Sequence, residues 1–286
     1  MLVDLVQVTT RDGYRLDGIY QPPSTPSSEV PIQGICLVHG TGGNFYSSTL
    51  FDLLAERLRS LGCGVLRINT RGHDGISTAS TDRGGRRVGA AYEVADDCRH
   101  DLHAWLTWLR RQAGPRIGLL GHSFGAVKAL YALAHEPGLA ELAIALSPPR
   151  SSYSAYCDSP QREAFLETYR RAEEFIQQSQ ASALMDVQLP LPYVISAAGY
   201  REKYGPEERY NFLRFVTQFR GPVLITFGGL EVVSNMAFQG VPEALQELRG
   251  GLAQLQVETI PGGDHFYSNV RADLASRVES WLRQQR

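Results

Sequence analysis

Three residues of this 286-residue chain have the types and settings to do chemistry together: Ser123, Glu231 and His265. Ser123 lies in Gly121-His122-Ser123-Phe124-Gly125, a match to G-x-S-x-G. Glu231 follows Gly228-Gly229-Leu230, and His265 follows Gly262-Gly263-Asp264. A serine hydroxyl is a poor nucleophile at neutral pH. A histidine beside it can take its proton, and a carboxylate can fix the tautomer of that imidazole. Such a set attacks carbonyl carbon and passes an acyl group through the serine.

These side chains need elements that aim them at one point. Ile117, Leu119 and Leu120 form a short apolar run after Gly114-Pro115, which reads as a buried strand. From Phe124 on, Val127, Leu130, Tyr131 and Ala134 recur at helical spacing. The turn between strand and helix is tight. Ser123 must hold strained backbone there, and a bulky residue at either flanking glycine would clash. The hydroxyl is pushed out at a helix N-terminus, where negative charge is favoured. A second apolar strand, Ile32 to Val38, runs into His39-Gly40-Thr41-Gly42-Gly43-Asn44. This loop matches neither G-x-G-x-x-G nor the lysine-containing phosphate loop. Its glycines instead let backbone N–H groups approach a developing negative oxygen, with the amides of Thr41 and Phe124 as the expected donors.

Elsewhere the chain alternates strands and helices. Val3 to Thr9 and Tyr14 to Tyr20 alternate apolar and polar residues around Arg11-Asp12-Gly13, a hairpin. The Pro/Ser-rich stretch Pro22 to Ser28 reads as a loop. A helix over Ser47 to Leu61 and a strand over Val65 to Asn69 follow. A long loop then reaches about Gly89, its Arg83, Arg86 and Arg87 read as solvated. Ala90 to Gln112 is expected as one helix, with Val94, Cys98, Leu102, Trp105, Leu106 and Leu109 on its apolar stripe. His100 and His103 on it have metal-ligand spacing but no third ligand nearby. Leu142 to Leu146 is a strand. The rhythm stops over residues 147–220, which are rich in aromatics and broken by Pro160, Pro190, Pro192 and Pro206. Such an insertion is too long for a loop and reads as a helical cap over the site, with Tyr193 facing substrate. Strands at Val223 to Phe227 and Leu255 to Ile260, and a last amphipathic helix, complete the chain. The division expected is a core in two parts, 1–146 and 221–286, with the cap 147–220 between them. Strands alternating with helices imply an α/β class with parallel pairing and right-handed crossovers.

Composition narrows the partners. With 43% hydrophobic residues and a net charge of -2, the chain can build a sizeable core and offers no basic surface for nucleic acid or anionic membranes. No apolar run approaches the roughly 20 residues that span a bilayer. The first residues lack a basic leader and a cleavage site, so no signal peptide is expected. Cys36, Cys63, Cys98 and Cys157 show no C-x-x-C pairing and are expected as reduced thiols, which points to the cytoplasm. The expected partner is a small-molecule substrate. Oligomeric state is left open, a homodimer included.

Ser123, Glu231 and His265 each fall just past the end of a predicted strand, and in a parallel sheet those ends share one edge. The order Ser, acid, His, with the HGTGG loop, the N-T-R-G-H-D-G-I-S segment, the GHSFG turn, the G-G-L-E turn and the G-G-D-H ending, resembles the α/β-hydrolase superfamily over nearly the whole length. The resemblance implies a mostly parallel eight-stranded sheet flanked by helices, and a Ser-His-Glu triad that needs neither metal nor organic cofactor. Many members carry Asp where this chain has Glu231, and the longer arm still reaches an imidazole. Asp264 adjoins His265 and points elsewhere, and the alternative acid position holds Ser147-Pro148-Pro149. Hydrolysis of an ester, thioester or lactone through an acyl-enzyme is the leading expectation. Acyl transfer, cyclisation or C–C hydrolysis in secondary metabolism is the alternative on the same fold. Halide displacement and epoxide opening are disfavoured, because those relatives carry Asp in place of Ser123. A non-catalytic binding protein would not need the full set.

Overall fold

The computed structural model describes residues 3–26, 29–248 and 254–285, so Ser27 and Ser28 of the Pro/Ser-rich loop lie outside it. In chain order the strands are β1 (Asp4–Thr9), β2 (Arg15–Gln21), β3 (Gly34–Val38), β4 (Gly64–Ile68), β5 (Ser77–Thr81), β6 (Gly84–Val88), β7 (Ile117–His122), β8 (Leu142–Leu146), β9 (Leu184–Val187), β10 (Tyr193–Ser196), β11 (Val223–Gly228) and β12 (Leu255–Ile260). The helices are α1 (Thr49–Ser60), α2 (Cys98–Ala113), α3 (Phe124–His135), α4 (Tyr153–Cys157), α5 (Arg162–Gln177), α6 (Ala197–Tyr204), α7 (Glu231–Ser234), α8 (Val241–Leu248) and α9 (Arg271–Gln284).

Eight strands form the main sheet in the order β1-β2-β4-β3-β7-β8-β11-β12. Only β2 runs against the others: it pairs antiparallel with both β1 and β4, and every later pairing is parallel. Central strands are buried on both faces, and their side chains alternate between two cores. Cys36 and Val38 of β3 point to the layer of α2 and α3, with Trp105, Leu106, Val127 and Leu130. Ile35 and Leu37 point to the layer of α1 and α9, with Leu54, Leu58, Leu274 and Trp281. Each fully buried leucine or isoleucine contributes roughly 1.5–3 kcal/mol relative to exposure. The indole N–H of Trp105 is satisfied by the Asn69 carbonyl at 3.0 Å.

The strand order reverses beside β3. From β3 the chain steps outward to β4, then returns to the other side of β3 with β7. Loops leaving two such strands diverge and open a crevice at the carboxyl edge. Val38 pairs with Gly121, so the loop after β3 and the turn after β7 emerge side by side.

Two sequence expectations need correction. Residues 77–88 are not a long loop. They form a small hairpin, β5 with β6, whose exposed Arg86 and Arg87 give it no apolar alternation to read. The helix expected from Ala90 begins only at Cys98, after a short 3₁₀ turn over Ala95–Asp97, and Val94 is 46% exposed. The amides of Ala90 and Ala91 donate to the carbonyls of Asp74 and Gly75, so this stretch braces a neighbouring loop instead of a helical ladder. Further along, His103 pairs with Glu136 and Arg11.

Between β8 and β11 the chain forms one long helix, α5, two shorter ones, α4 and α6, and an antiparallel pair, β9 with β10. Tyr156, Phe165, Met185, Ile195 and Tyr200 make a separate apolar cluster there. Tyr210, Phe212 and Phe215 instead join the core on the α3 side, with Tyr210 edge-on to Tyr131 at 5.2 Å. A second anchor is Arg71, just after β4. Its side chain bonds to Asp101 and Asp12, so one buried guanidinium ties α2 to the first hairpin. Burial would raise the Asp12 carboxyl, but hydrogen bonds from Arg71 and Thr10 hold it down at about 2. Among the described residues no helix is long and apolar enough to cross a membrane.

Candidate active site

The turn after β7 carries Ser123 at φ 57° and ψ -131°, a conformation that costs a non-glycine residue energy. Close packing enforces it. A Cβ on Gly121 would lie 2.3 Å from the Gly125 carbonyl oxygen, and one on Gly125 would lie 2.3 Å from the carbonyl oxygens of both Val38 and His39. The pentapeptide's glycines are thus required by backbone against backbone, where no rotamer offers relief.

The structure brings Ser123, His265 and Glu231 together. His265 Nε2 lies 2.9 Å from Ser123 Oγ, and His265 Nδ1 lies 2.6 Å from Glu231 Oε2. Glu231 opens α7 just past β11, and His265 lies in the loop after β12, whose Ile260 pairs with Gly228. Asp264 is turned away: its Oδ1 accepts the amides of Phe266 and Ser268.

The other Glu231 oxygen, Oε1, is just as fully engaged. It accepts the Gly228 amide at 2.7 Å and the Ser147 hydroxyl. Ser147 Oγ is 2.8 Å from Tyr267 Oη, which lies 2.8 Å from Thr226 Oγ1. The glutamate is 4% exposed, so this set of donors replaces the water a buried carboxylate loses. Sequence reasoning passed over Ser147 as a position without a carboxylate. Its signal was the place itself, directly after β8 beside β11.

The x of the serine motif is His122, another residue the sequence did not single out. Its Nε2 donates to the His265 carbonyl at 2.7 Å, holding the loop that carries His265. Burial, with His265 close by, pushes the His122 imidazole down to about 3, so it stays neutral. His39 is also held at about 3, by burial and by Lys128. Its Nδ1–H donates to the Gly40 carbonyl at 2.8 Å, while Nε2 accepts the Thr70 amide at 3.1 Å.

The HGTGG loop lies directly against the serine: a Cβ on Gly40 would be 2.8 Å from Ser123 Cβ. Among the described residues no backbone or side-chain acceptor takes the Thr41 amide. The Phe124 amide is in the first turn of α3, where helices leave N–H groups unpaired. Behind Phe124 lies a buried ion cluster. Glu93 bridges Lys128 of α3 and Lys203 of α6, the latter at 3.1 Å. Burial would raise the Glu93 carboxyl, but the two ammonium groups hold it near 2. Lys203 Nζ lies 4.7 Å from the Phe124 ring centroid and 5.6 Å from that of Tyr193.

A cavity of about 430 Å³ opens over Ser123 and His265. Gly40 and Thr41 border it on one side, and Leu191, Pro192 and Tyr193 on another. Tyr193 thus borders the cavity, with its hydroxyl 3.1 Å from that of Tyr204. Among the described residues no group of three or more His, Cys, Asp or Glu side chains could hold a metal ion.

Comparison with solved structures finds the same arrangement of elements. The alpha/beta hydrolase GrgF from Penicillium sp. sh18 superposes with a TM-score of 0.71 at 17% identity, covering 100% of this chain and 99% of that one. Est1E from Butyrivibrio proteoclasticus, solved with ferulic acid bound, gives 0.67 at 18% identity, covering 98% and 99%. The Pyrococcus furiosus esterase Pf2001 gives 0.64 at 18% identity, covering 99% and 91%. No curated protein matches by sequence. The model of the alpha/beta hydrolase family matches residues 37–277, which span the serine turn, the glutamate and the histidine. With that match over most of its length, the chain is an enzyme of the alpha/beta hydrolase family.

Proposed function

We propose that this enzyme hydrolyses an ester, thioester or lactone of a small organic molecule through a Ser123-His265-Glu231 triad. The observation that carries the reading is the continuous chain of hydrogen bonds from Ser123 Oγ through both ring nitrogens of His265 to Glu231. As Ser123 attacks the carbonyl carbon, His265 Nε2 takes its proton. Glu231 keeps Nδ1 protonated and stabilises the imidazolium that forms. The N–H groups of Thr41 and Phe124 receive the oxyanion of the tetrahedral intermediate, and the positive end of α3 adds to their field. Collapse expels the alcohol or thiol, which leaves with the proton from His265. Water, deprotonated by His265, then attacks the acyl-serine and releases the acid. Every proton moved is carried by His265, so the cycle calls for no cofactor. The segment with Leu191, Pro192 and Tyr193 acts as a cap that shapes the substrate chamber. The free thiols of Cys36, Cys63, Cys98 and Cys157 fit a reducing compartment, and we place the enzyme in the cytoplasm.

Pre-steady-state kinetics with p-nitrophenyl butyrate test this reading. The expectation is a burst of about one p-nitrophenolate per enzyme, absent in Ser123→Ala. Turnover that survives Ser123→Ala would sink it.

A further inference from the structure

Among the described side chains that border the catalytic cavity, the one with a fixed charge is a cation. Among the described residues the cavity over Ser123 is bordered by Arg271 and by no aspartate, glutamate or lysine. The guanidinium is held in place by neutral groups. Arg271 Nη1 donates to Thr49 Oγ1 at 2.9 Å, and Nε donates to the Phe266 carbonyl at 3.2 Å. No described carboxylate lies within ion-pair distance of it, whereas Arg67, Arg71 and Arg277 each have such a partner in Asp52, Asp101 and Glu258. The nearest acid in sequence, Asp273, pairs instead with Arg277. Asp264, held down by the Ser268 and Phe266 amides and in lesser part by Arg271, spends its Oδ1 on those two amides and borders a separate cavity. Asp74 is held by Asn44 and His73.

The position also works against the helix. Arg271 is the first residue of α9, and Val270 provides no side-chain cap. A helix N-terminus favours an acid or a capping hydroxyl, and a cation there is repelled by the partial positive charge of the unpaired N–H groups. The acid of the first turn, Asp273, is paired with Arg277, and an anion in the cavity would meet the Arg271 guanidinium and the positive end of α9 together. His39 and His122, the buried histidines on the same cavity, are neutral and add no competing charge.

Resting on the hydrolase reading above, we infer that Arg271 selects a substrate that carries a carboxylate, bound at the mouth of the cavity while the scissile carbonyl lies at Ser123. Arg271 is a specificity-determining residue, and its planar fork suits a carboxylate. The test is kcat/KM on matched ester pairs that differ only in that charge. One pair places it on the acyl chain: p-nitrophenyl monoesters of glutarate and adipate against p-nitrophenyl valerate and hexanoate. The other places it on the alcohol: butyrate esters of carboxybenzyl against methylbenzyl alcohol. The wild type is expected to prefer the charged member of at least one pair about tenfold, the scale of one charge-assisted contact at a half-exposed site. The preference shrinks at high salt, falls to about one in Arg271→Gln and is only partly kept in Arg271→Lys, which retains the charge without the fork. Each ratio is taken within one protein, so loss of folded enzyme cancels. Equal efficiency on charged and neutral esters in the wild type, or a preference unchanged in Arg271→Gln, overturns this inference and leaves the hydrolase reading standing. Turnover of neither member overturns both.

Discussion

Ser147 and Glu231, 84 residues apart in the chain, are joined by a hydrogen bond from the serine hydroxyl to the carboxylate oxygen that His265 does not use. The glutamate side chain is therefore gripped at both oxygens, one by His265 and one by Ser147 and the Gly228 amide. Ser147→Ala removes one donor from a buried carboxylate, which costs about 1–3 kcal/mol where it is not replaced. We expect kcat to fall roughly 5- to 100-fold with little change in KM. Glu231→Gln, which misplaces the imidazole proton, is expected to cost about a thousandfold or more. Steady-state kinetics of the two variants check this. A Ser147→Ala enzyme of full activity would show that Glu231 needs no second anchor.

Acid should weaken the fold earlier than carboxylate chemistry alone would dictate. His39 and His122 stay neutral in the folded protein down to about pH 3, against an ordinary value of 6.5. Below pH 6.5 the unfolded chain binds protons that the folded chain refuses. Stability is thus fully present above 6.5 and falls toward pH 3, by up to about 1.4 kcal/mol per pH unit for each histidine. Glu93, at about 2 against 4.5, adds a second loss in the window from 4.5 down to 2. Denaturant titrations from pH 8 to pH 4 measure this slope of stability against pH. His122→Gln, which keeps a donor for the His265 carbonyl, should have a shallower slope between 6.5 and 4. A slope equal to that of the wild type would contradict the assignment.

The Glu93-Lys128-Lys203 cluster makes an opposite prediction for one substitution and for three. Glu93→Gln strands two ammonium groups that are at most 1% exposed, and should cost about 3–5 kcal/mol. Replacing all three with apolar residues of similar size (Glu93→Leu, Lys128→Met, Lys203→Met) removes the buried charge altogether. It should cost less than the single change. Urea unfolding of both proteins decides the matter, and a triple variant less stable than Glu93→Gln would overturn the argument.

The site was legible in the sequence to the extent that it depends on backbone. Gly121 and Gly125 face carbonyl oxygens at distances that exclude a Cβ, so the serine motif survives only as that motif. The strand ends that carry Glu231 and His265 were readable because β11 and β12 are short apolar runs closed by glycines. What escaped was the supporting shell. His122, Ser147 and Tyr267 act through contacts 143, 84 and 120 residues away in the chain, and no local pattern encodes such a distance. The hairpin at residues 77–88 was missed because both its faces are largely wet, which removes the alternation that marks a half-buried strand. The start of α2 was placed too early because Ala90, Ala91 and Val94 mimic a helical stripe. The amides of Ala90 and Ala91 serve the Asp74–Gly75 turn instead, and Glu93 serves the two lysines.

The most direct test of the account is covalent. Purified protein is treated with a fluorophosphonate and its intact mass followed, with Ser123→Ala and Glu231→Gln in parallel. The account predicts one adduct on the wild type, located on Ser123, none on Ser123→Ala, and labelling of Glu231→Gln slowed by at least about a hundredfold. An unlabelled wild type, or Glu231→Gln labelled at the wild-type rate, would contradict an activated serine held by His265 and Glu231.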